Sequence, residues 1–421
     1  MAERFAISAG TVVPINRPPI DNAAVIVNGR QIEAIVPREI IPPDIRIEKF
    51  PDAILLPAFV NAHCHLVYSA YRGIADDKPF FEWLTDHIIP LDVINFEDDC
   101  RKSAALGVEL SFRNGITAIC ESHYLPWGRL AMSDSGMKGV FFYEVFGVIS
   151  PDLPASVIKH REIIEKYAVE LQGDIRFGVS PHAPYSVPPS MAQMVKEVCE
   201  KYQLPLSIHV AETRDEELFF QSNEGKFANP GRIERFPRPD PNRTPLIYLD
   251  ENGLLSTRTL LIHGIYLSDS DLEIIHDRGC TLVTCPTSNA KLASGIARAD
   301  IWKRKNIPIC IATDSLASCD SFDLFEEMRG FALFQRASTG VVDSFSANEI
   351  LNMVTINPAR ALGIEDMVGD LREGSHADLI IVEPDKKDVS SNRDVYGTIL
   401  WGTSSKDIVK VFSDGNEVYN R

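Results

Sequence analysis

The chain has 421 residues, 45% hydrophobic and 24% charged, with 42 Lys and Arg against 59 Asp and Glu, a formal net charge of −17. That is the composition of a globular protein, long enough for one large α/β barrel with a satellite or for roughly two or three domains. An acidic surface disfavours nucleic acid and anionic membranes as partners, and no apolar stretch reaches the length of a membrane span.

The opening residues Met1-Ala2-Glu3-Arg4 show no basic region followed by an apolar core, so no secretory leader is expected. Eight cysteines lie scattered through apolar runs. They read as buried thiols of a cytoplasmic protein, not as a disulfide framework or a Cys-based zinc cluster. From Phe5 to Ile54, short alternating runs such as Ala24-Val25-Ile26-Val27 and Ile32-Glu33-Ala34-Ile35 are separated by Asn28-Gly29 and Pro42-Pro43. They predict a small antiparallel β unit. From Pro57 apolar β-branched runs alternate with amphipathic helices, the pattern of parallel βαβ units.

The run ending at His65 is followed by others at 116–120, 139–143, 175–179, 206–208, 259–262, 281–284 and 309–312. Eight candidate strands predict closure into a barrel. Between them, Met191, Met194, Val195, Val198, Cys199 and Tyr202 share one helical face, and 156–171 and 323–335 read similarly. Beyond Gly363 the N-terminal texture returns at Ala377-Asp378-Leu379-Ile380-Ile381-Val382 and at Ile408-Val409-Lys410-Val411-Phe412. Residues 1–56 and 365–421 are therefore expected to pair into one small β-sandwich, beside a barrel of residues 57–364. The Pro- and Arg-rich stretch 225–245 is too long for a plain connection and is expected to form a cap or binding loop.

Polar chemistry gathers at the ends of the predicted strands. His63 and His65 leave the first strand two residues apart, hence on one face. Ser180-Pro181-His182 ends the fourth, His209-Val210-Ala211-Glu212 the fifth, His263-Gly264 the sixth and Thr313-Asp314-Ser315 the eighth. In a barrel these ends converge on one mouth. Three imidazoles, of His63, His65 and His209, with the Asp314 carboxylate make a divalent-metal donor set that leaves room for a water. Glu212 is within reach of that water without being a ligand, and His263 is placed to orient it or to polarise the bond under attack. His87, His160, His276 and His376 read as surface or core histidines, and His123 as a candidate substrate contact.

These motifs resemble those of the amidohydrolase superfamily, in its deaminase and hydrolytic-dehalogenase branch. His63-Cys64-His65, Ser180-Pro181-His182-Ala183-Pro184-Tyr185, His209-Val210-Ala211-Glu212-Thr213, His263, Cys285-Pro286-Thr287-Ser288-Asn289 and Thr313-Asp314-Ser315-Leu316-Ala317-Ser318 carry the resemblance, in the family's order. It implies a distorted (β/α)8 TIM-type barrel with a small β-sandwich built from both chain ends. It also implies metal ligands at His63, His65, His209 and Asp314, a proton shuttle at Glu212 and stabilisation of the intermediate by His263 and Asp314. Binuclear relatives bridge two metals with a modified lysine at the end of the fourth strand. Ser180-Pro181-His182 has none, so one divalent ion is expected, Zn2+ first and Fe2+ as the alternative.

Within that branch the chain looks like the adenosine-type deaminases. Asp76-Asp77-Lys78-Pro79-Phe80-Phe81-Glu82-Trp83-Leu84 resembles the loop whose glutamate, here Glu82, holds the ribose hydroxyls. Trp83 beside it and His182 are carried over as further substrate contacts. Deaminases of S-adenosylhomocysteine hold its amino-acid tail with arginines after the third strand, whereas residues 139–158 contain no Lys or Arg. Short stretches instead resemble the deaminases of the futalosine route to menaquinone. They are Pro18-Pro19-Ile20, Phe220-Gln221-Ser222-Asn223-Glu224-Gly225-Lys226-Phe227, Pro245-Leu246-Ile247-Tyr248-Leu249-Asp250 and Asp314-Ser315-Leu316-Ala317-Ser318.

That substrate, aminodeoxyfutalosine, carries a carboxyphenyl ketone, which calls for an apolar wall and one cation from Arg72 or the loop Arg232 to Arg243. The expected activity is hydrolytic deamination of a 5′-substituted adenosine, aminodeoxyfutalosine first and methylthioadenosine or S-adenosylhomocysteine next. A triazine chlorohydrolase or aminohydrolase and an inactive metal-binding scaffold are the rivals. The expected partner is thus a small nucleoside, with a homo-oligomer left open.

Overall fold

A computed structural model describes residues 4–94, 97–147, 152–171, 173–228, 241–385 and 394–421, with backbone alone at 92–94. Much of the predicted cap, including Arg232, lies outside the described residues.

Four strands open the chain: β1 (Arg4–Val12), β2 (Ile20–Asn28), β3 (Gln31–Pro37) and β4 (Arg46–Pro57). Eight follow: β5 (Phe59–Cys64), β6 (Ile116–His123), β7 (Lys138–Val145), β8 (Ile175–Pro181), β9 (Leu206–Val210), β10 (Thr259–His263), β11 (Thr281–Thr284) and β12 (Ile309–Ile311). The last three are β13 (Leu379–Val382), β14 (Ile408–Ser413) and β15 (Asn416–Asn420). β5 to β12 form one parallel sheet in sequence order, with helices between the strands.

Period-two alternation divides these strands between two cores. Val60, Ala118, Val140, Phe142, Ile262 and Val283 fill the barrel, whereas Ile119, Phe141, Ile208, Leu261 and Leu282 pack outward against the helices. Closure is where the distortion lies. β5 and β12 share no strand pairing. Met353 and Val354 fill the seam instead: Val60 N donates to Val354 O and Ile311 N to Met353 O, both at 2.9 Å. Nearer the mouth Asn61 spans it, donating to Thr313 Oγ1 at 2.8 Å and accepting from Thr313 N at 3.1 Å. A side-chain amide thus replaces the missing ladder bonds, leaving His63 and Asp314 adjacent, with Asp314 N donating to His63 O at 3.1 Å.

The chain ends form a second, mixed sheet in the order β15-β14-β13-β4-β1-β2-β3. It is continuous, and it curls back on itself. Phe5 of β1 and Phe412 of β14, three strands apart, have ring centroids 5.9 Å apart. Beyond β2, Ala377 N donates to Arg30 O at 2.8 Å and Ile32 N to Ser375 O at 2.9 Å. The sandwich layers are therefore two halves of one sheet around Phe5, Ile7, Val25, Leu55, Leu379 and Ile381. Under the barrel, Lys138 at the start of β7 is fully buried. Its Nζ lies 3.0 Å from both Asp378 and Asp414 and donates to Ser413 Oγ at 2.9 Å, tying barrel to sheet. No helix among the described residues is long and apolar enough to cross a membrane.

Candidate metal centre and active-site cavity

The barrel mouth assembles the predicted cluster. Strand register breaks between Asn61 and Cys64, a bulge that re-aims the end of β5. The Nε2 atoms of His63 and His209 lie 3.2 Å apart, and those of His63 and His65 each lie 3.6 Å from Asp314 Oδ1. The backs of the rings are tied. His65 Nδ1 donates to Ser122 O at 2.6 Å and His209 Nδ1 to His182 O at 2.9 Å, because a carbonyl can only accept. Both Nε2 atoms therefore present lone pairs inward. Burial first of all lowers the His63 pKa to about 4 and those of His65 and His209 too, so the imidazoles are neutral at pH 7.

Asp314 is shaped for the same task. Ser288 Oγ and Ser318 Oγ both donate to Oδ2 at 2.8 Å, leaving Oδ1 to face the histidines. Burial opposes its charge, but His63, His65 and His263 hold the carboxyl well below its usual range. Three neutral imidazoles and one ionised carboxylate facing one another at 3.2–3.6 Å are the donors a divalent cation takes. The residues fit the ion.

Glu212 and His263 border this cluster. His263 Nε2 stands 3.6 Å from Glu212 Oε1, and its Nδ1 pairs with Asn289 Oδ1 at 2.8 Å, which leaves Nε2 as the acceptor. Burial, then Asp314 and Glu216, push the Glu212 pKa well above its ordinary value. Ala211, His263 and Asp314 all have positive φ, of 51, 73 and 68°, so three of the turns that carry the site are left-handed.

A cavity of about 780 Å3 runs outward from His65, His209, Glu212, His263 and Asp314. Its walls are aromatic, with Phe80, Trp83, Tyr124, Phe146, Tyr167 and Tyr185, and Lys159, His160 and Lys166 line it farther along. His182 and Trp83 both face it, and Trp83 Nε1 is buried without a hydrogen-bond partner among the described residues.

Two expected contacts lie elsewhere. The Glu82 carboxylate, 37% exposed, is bound by Lys226 Nζ at 2.7 and 2.8 Å and does not line the cavity. Helical geometry turns Trp83 inward and its neighbour outward. Arg72 is exposed where the 3-10 turn Leu66–Tyr71 ends, with Gly73 N anchored to Asp320, and it does not line the cavity either. Arg243 pairs with Glu251 at 2.6 Å. Among the described residues, the lysines and arginines lining the cavity are Lys159 and Lys166, on the helix Leu153–Glu170, just past the stretch in which the sequence has none.

His160, which sequence reasoning put among the background histidines, also lines the cavity, its Nδ1 3.0 Å from Tyr143 Oη. His123 is buried outside the cavity lining, where its Nδ1 accepts from Leu125 N at 2.9 Å. Ser288, Asn289 and Ser318 were visible only as parts of motifs. Glu144, buried on the cavity wall, gave no signal.

Residues 54–418 match the Amidohydrolase family. The chain is 30% identical to the 5-methylthioadenosine/S-adenosylhomocysteine deaminase of Symbiobacterium thermophilum, over 99% of this chain and 94% of that one. It is 27% identical to the 5′-deoxyadenosine deaminase of Methanopyrus kandleri, over 99% and 93%. The zinc-bound crystal structure of an adenosine deaminase from Xanthomonas campestris superposes with a TM-score of 0.87 at 26% identity, covering 99% of this chain and 93% of that one. The protein belongs to the amidohydrolase family, in its adenosine-type deaminase branch. It is a hydrolytic deaminase whose site takes a divalent metal.

Proposed function

We propose that the enzyme deaminates a 5′-substituted adenosine, with aminodeoxyfutalosine as its preferred substrate and one zinc ion held by His63, His65, His209 and Asp314. The observation that carries this reading is the cavity, which begins at the histidine cluster, continues between aromatic rings and includes two lysines. The adenine belongs at the cluster, and the aromatic wall suits the aryl ring of the 5′ group. Lys159 and Lys166 suit its carboxylate. The zinc of the Xanthomonas relative supports the choice of metal.

When bound, the ion supplies an acidified water and positive charge beside the ring carbon that loses its amine. Glu212 takes the water's proton at its carboxylate and delivers it to ring N1. Burial favours its protonated form, which suits holding that proton between the two transfers, while a bound cation beside it would favour the carboxylate that first accepts it. His263, kept by Asn289 in the Nδ1–H form, accepts at Nε2 and orients the attacking water. Water adds at C6, the proton remaining on the new hydroxyl passes to the amine, the C–N bond breaks to release ammonia, and the ring becomes a lactam protonated at N1. The aromatic walls keep other water away.

A second reading is favoured by the relatives, whose names place methylthioadenosine, S-adenosylhomocysteine or 5′-deoxyadenosine in the same position. Steady-state kinetics on aminodeoxyfutalosine and on these three separates them. A kcat/KM for any of the three about tenfold above that for aminodeoxyfutalosine, roughly 1.4 kcal/mol, assigns the enzyme to that substrate instead.

A further inference from the structure

The turn that carries Glu212 rests on a neighbour with no role so far. β9 ends at Val210, Ala211 takes φ +51°, and Glu212 then lines the cavity. A left-handed alanine persists only where surrounding contacts hold it. On one side the end of β10 holds it, with Gly264 N donating to Val210 O at 3.1 Å and Tyr266 N to Ala211 O at 2.9 Å. On the other side the amide of Glu212 donates to the carboxyl of Glu216, at 3.0 Å from Oε2.

Glu216 is 1% exposed, so it is not a solvated acid at a helix start. Its own amide donates to Thr213 Oγ1 at 3.2 Å, the N-cap of the helix Arg214–Ser222, which makes the helix the arm that holds the carboxyl still. Its Oε1 has no hydrogen-bond partner among the described residues, and burial pushes its pKa up to about 8. At neutral pH it is thus mostly a neutral acid whose carbonyl oxygen receives the Glu212 amide.

We propose that Glu216 is the positioning residue of the proton shuttle: through the amide of Glu212 it fixes the left-handed turn that aims Glu212 at the reacting centre. This rests on the role given to Glu212 above. A glutamine oxygen accepts that amide equally well, an aspartate is one methylene too short, and a leucine accepts nothing.

The test compares the metal-loaded wild type with E216Q, E216D and E216L. Hydrogen–deuterium exchange at the Glu212 amide, metal content, kcat and KM are measured, the kinetics on the best substrate of the panel. E216Q is expected to keep amide protection and kcat within about threefold, while E216D and E216L lose protection and about 10- to 100-fold in kcat, the scale of a misplaced reacting group, with metal content and KM unchanged. Equal protection and kcat in all four proteins overturn the proposal. So does E216Q falling as far as E216D, which would make charge and not the acceptor the active feature. If E216L does not fold, E216D and E216Q decide. A wild type inactive on every adenosine contradicts the functional reading instead, and amide exchange still decides the role of Glu216.

Discussion

At the scale of single residues the site divides into groups that meet substrate or metal and groups that hold them. In the proposed mechanism Glu212→Gln removes the shuttle but none of the ligands. It is expected to keep the metal and lose about 10²–10⁴ in kcat, and retention of a tenth of wild-type kcat would assign proton transfer to another group. Asn289→Leu frees His263 Nδ1 from its acceptor, so the ring can turn and change tautomer. A kcat loss of about 10- to 100-fold with full metal content is expected, and an unchanged kcat would remove Asn289 from the account.

The ligand candidates were legible in sequence because strand periodicity and strand-end position select them without tertiary detail. Ser288, Asn289, Ser318 and Glu216 were not. Serines and acidic residues are common at turns and helix starts, and only the closed barrel brings these four against Asp314, His263 and the turn before Glu212. Lys159, His160 and Lys166 were missed for a related reason. Whether a helix face meets solvent or a cavity depends on how the helix sits on the barrel.

At the scale of elements, turns at the mouth are pinned from behind by buried carboxyls. Glu121 accepts from Leu66 N just after His65, Glu216 from Glu212 N, and Glu327 from Thr287 N and Thr287 Oγ1 at the start of the helix Pro286–Lys291. Burial pushes the Glu327 pKa up from 4.5 to about 8. The unfolded chain thus releases this proton near pH 4.5 and the folded chain near pH 8. Between those values the folded state binds more protons, so stability falls as pH rises, by at most about 1.4 kcal/mol per pH unit. Glu327→Gln cannot ionise. Its Tm relative to wild type should rise steadily from pH 5 to pH 8, and parallel Tm curves would show that Glu327 is ionised throughout.

Barrel strands and helices were readable from their apolar periods. The seam was not, because Met353 and Val354 look like any other apolar pair and Asn61 gives no sign that its amide replaces strand pairing.

At the scale of the molecule, a curled sheet built from both ends grips the bottom of the barrel while the chemistry sits at the top. The principal polar grip is Lys138, fully buried between Asp378 and Asp414. Lys138→Met leaves those carboxylates without their central cation and should cost about 3–5 kcal/mol in denaturant unfolding, with the metal site intact. A cost below about 1 kcal/mol would mean that Arg30 and His376, which also pair with Asp414, suffice.

We propose that one ion in one four-residue site turns this barrel into a nucleoside deaminase. Ammonia release from the preferred 5′-substituted adenosine, followed while Zn2+ is titrated into chelator-stripped protein, tests it most directly. Activity should be absent at the start, rise linearly and stop at one equivalent per chain. Full activity in the stripped protein, or a rise that continues to two equivalents, would contradict the account.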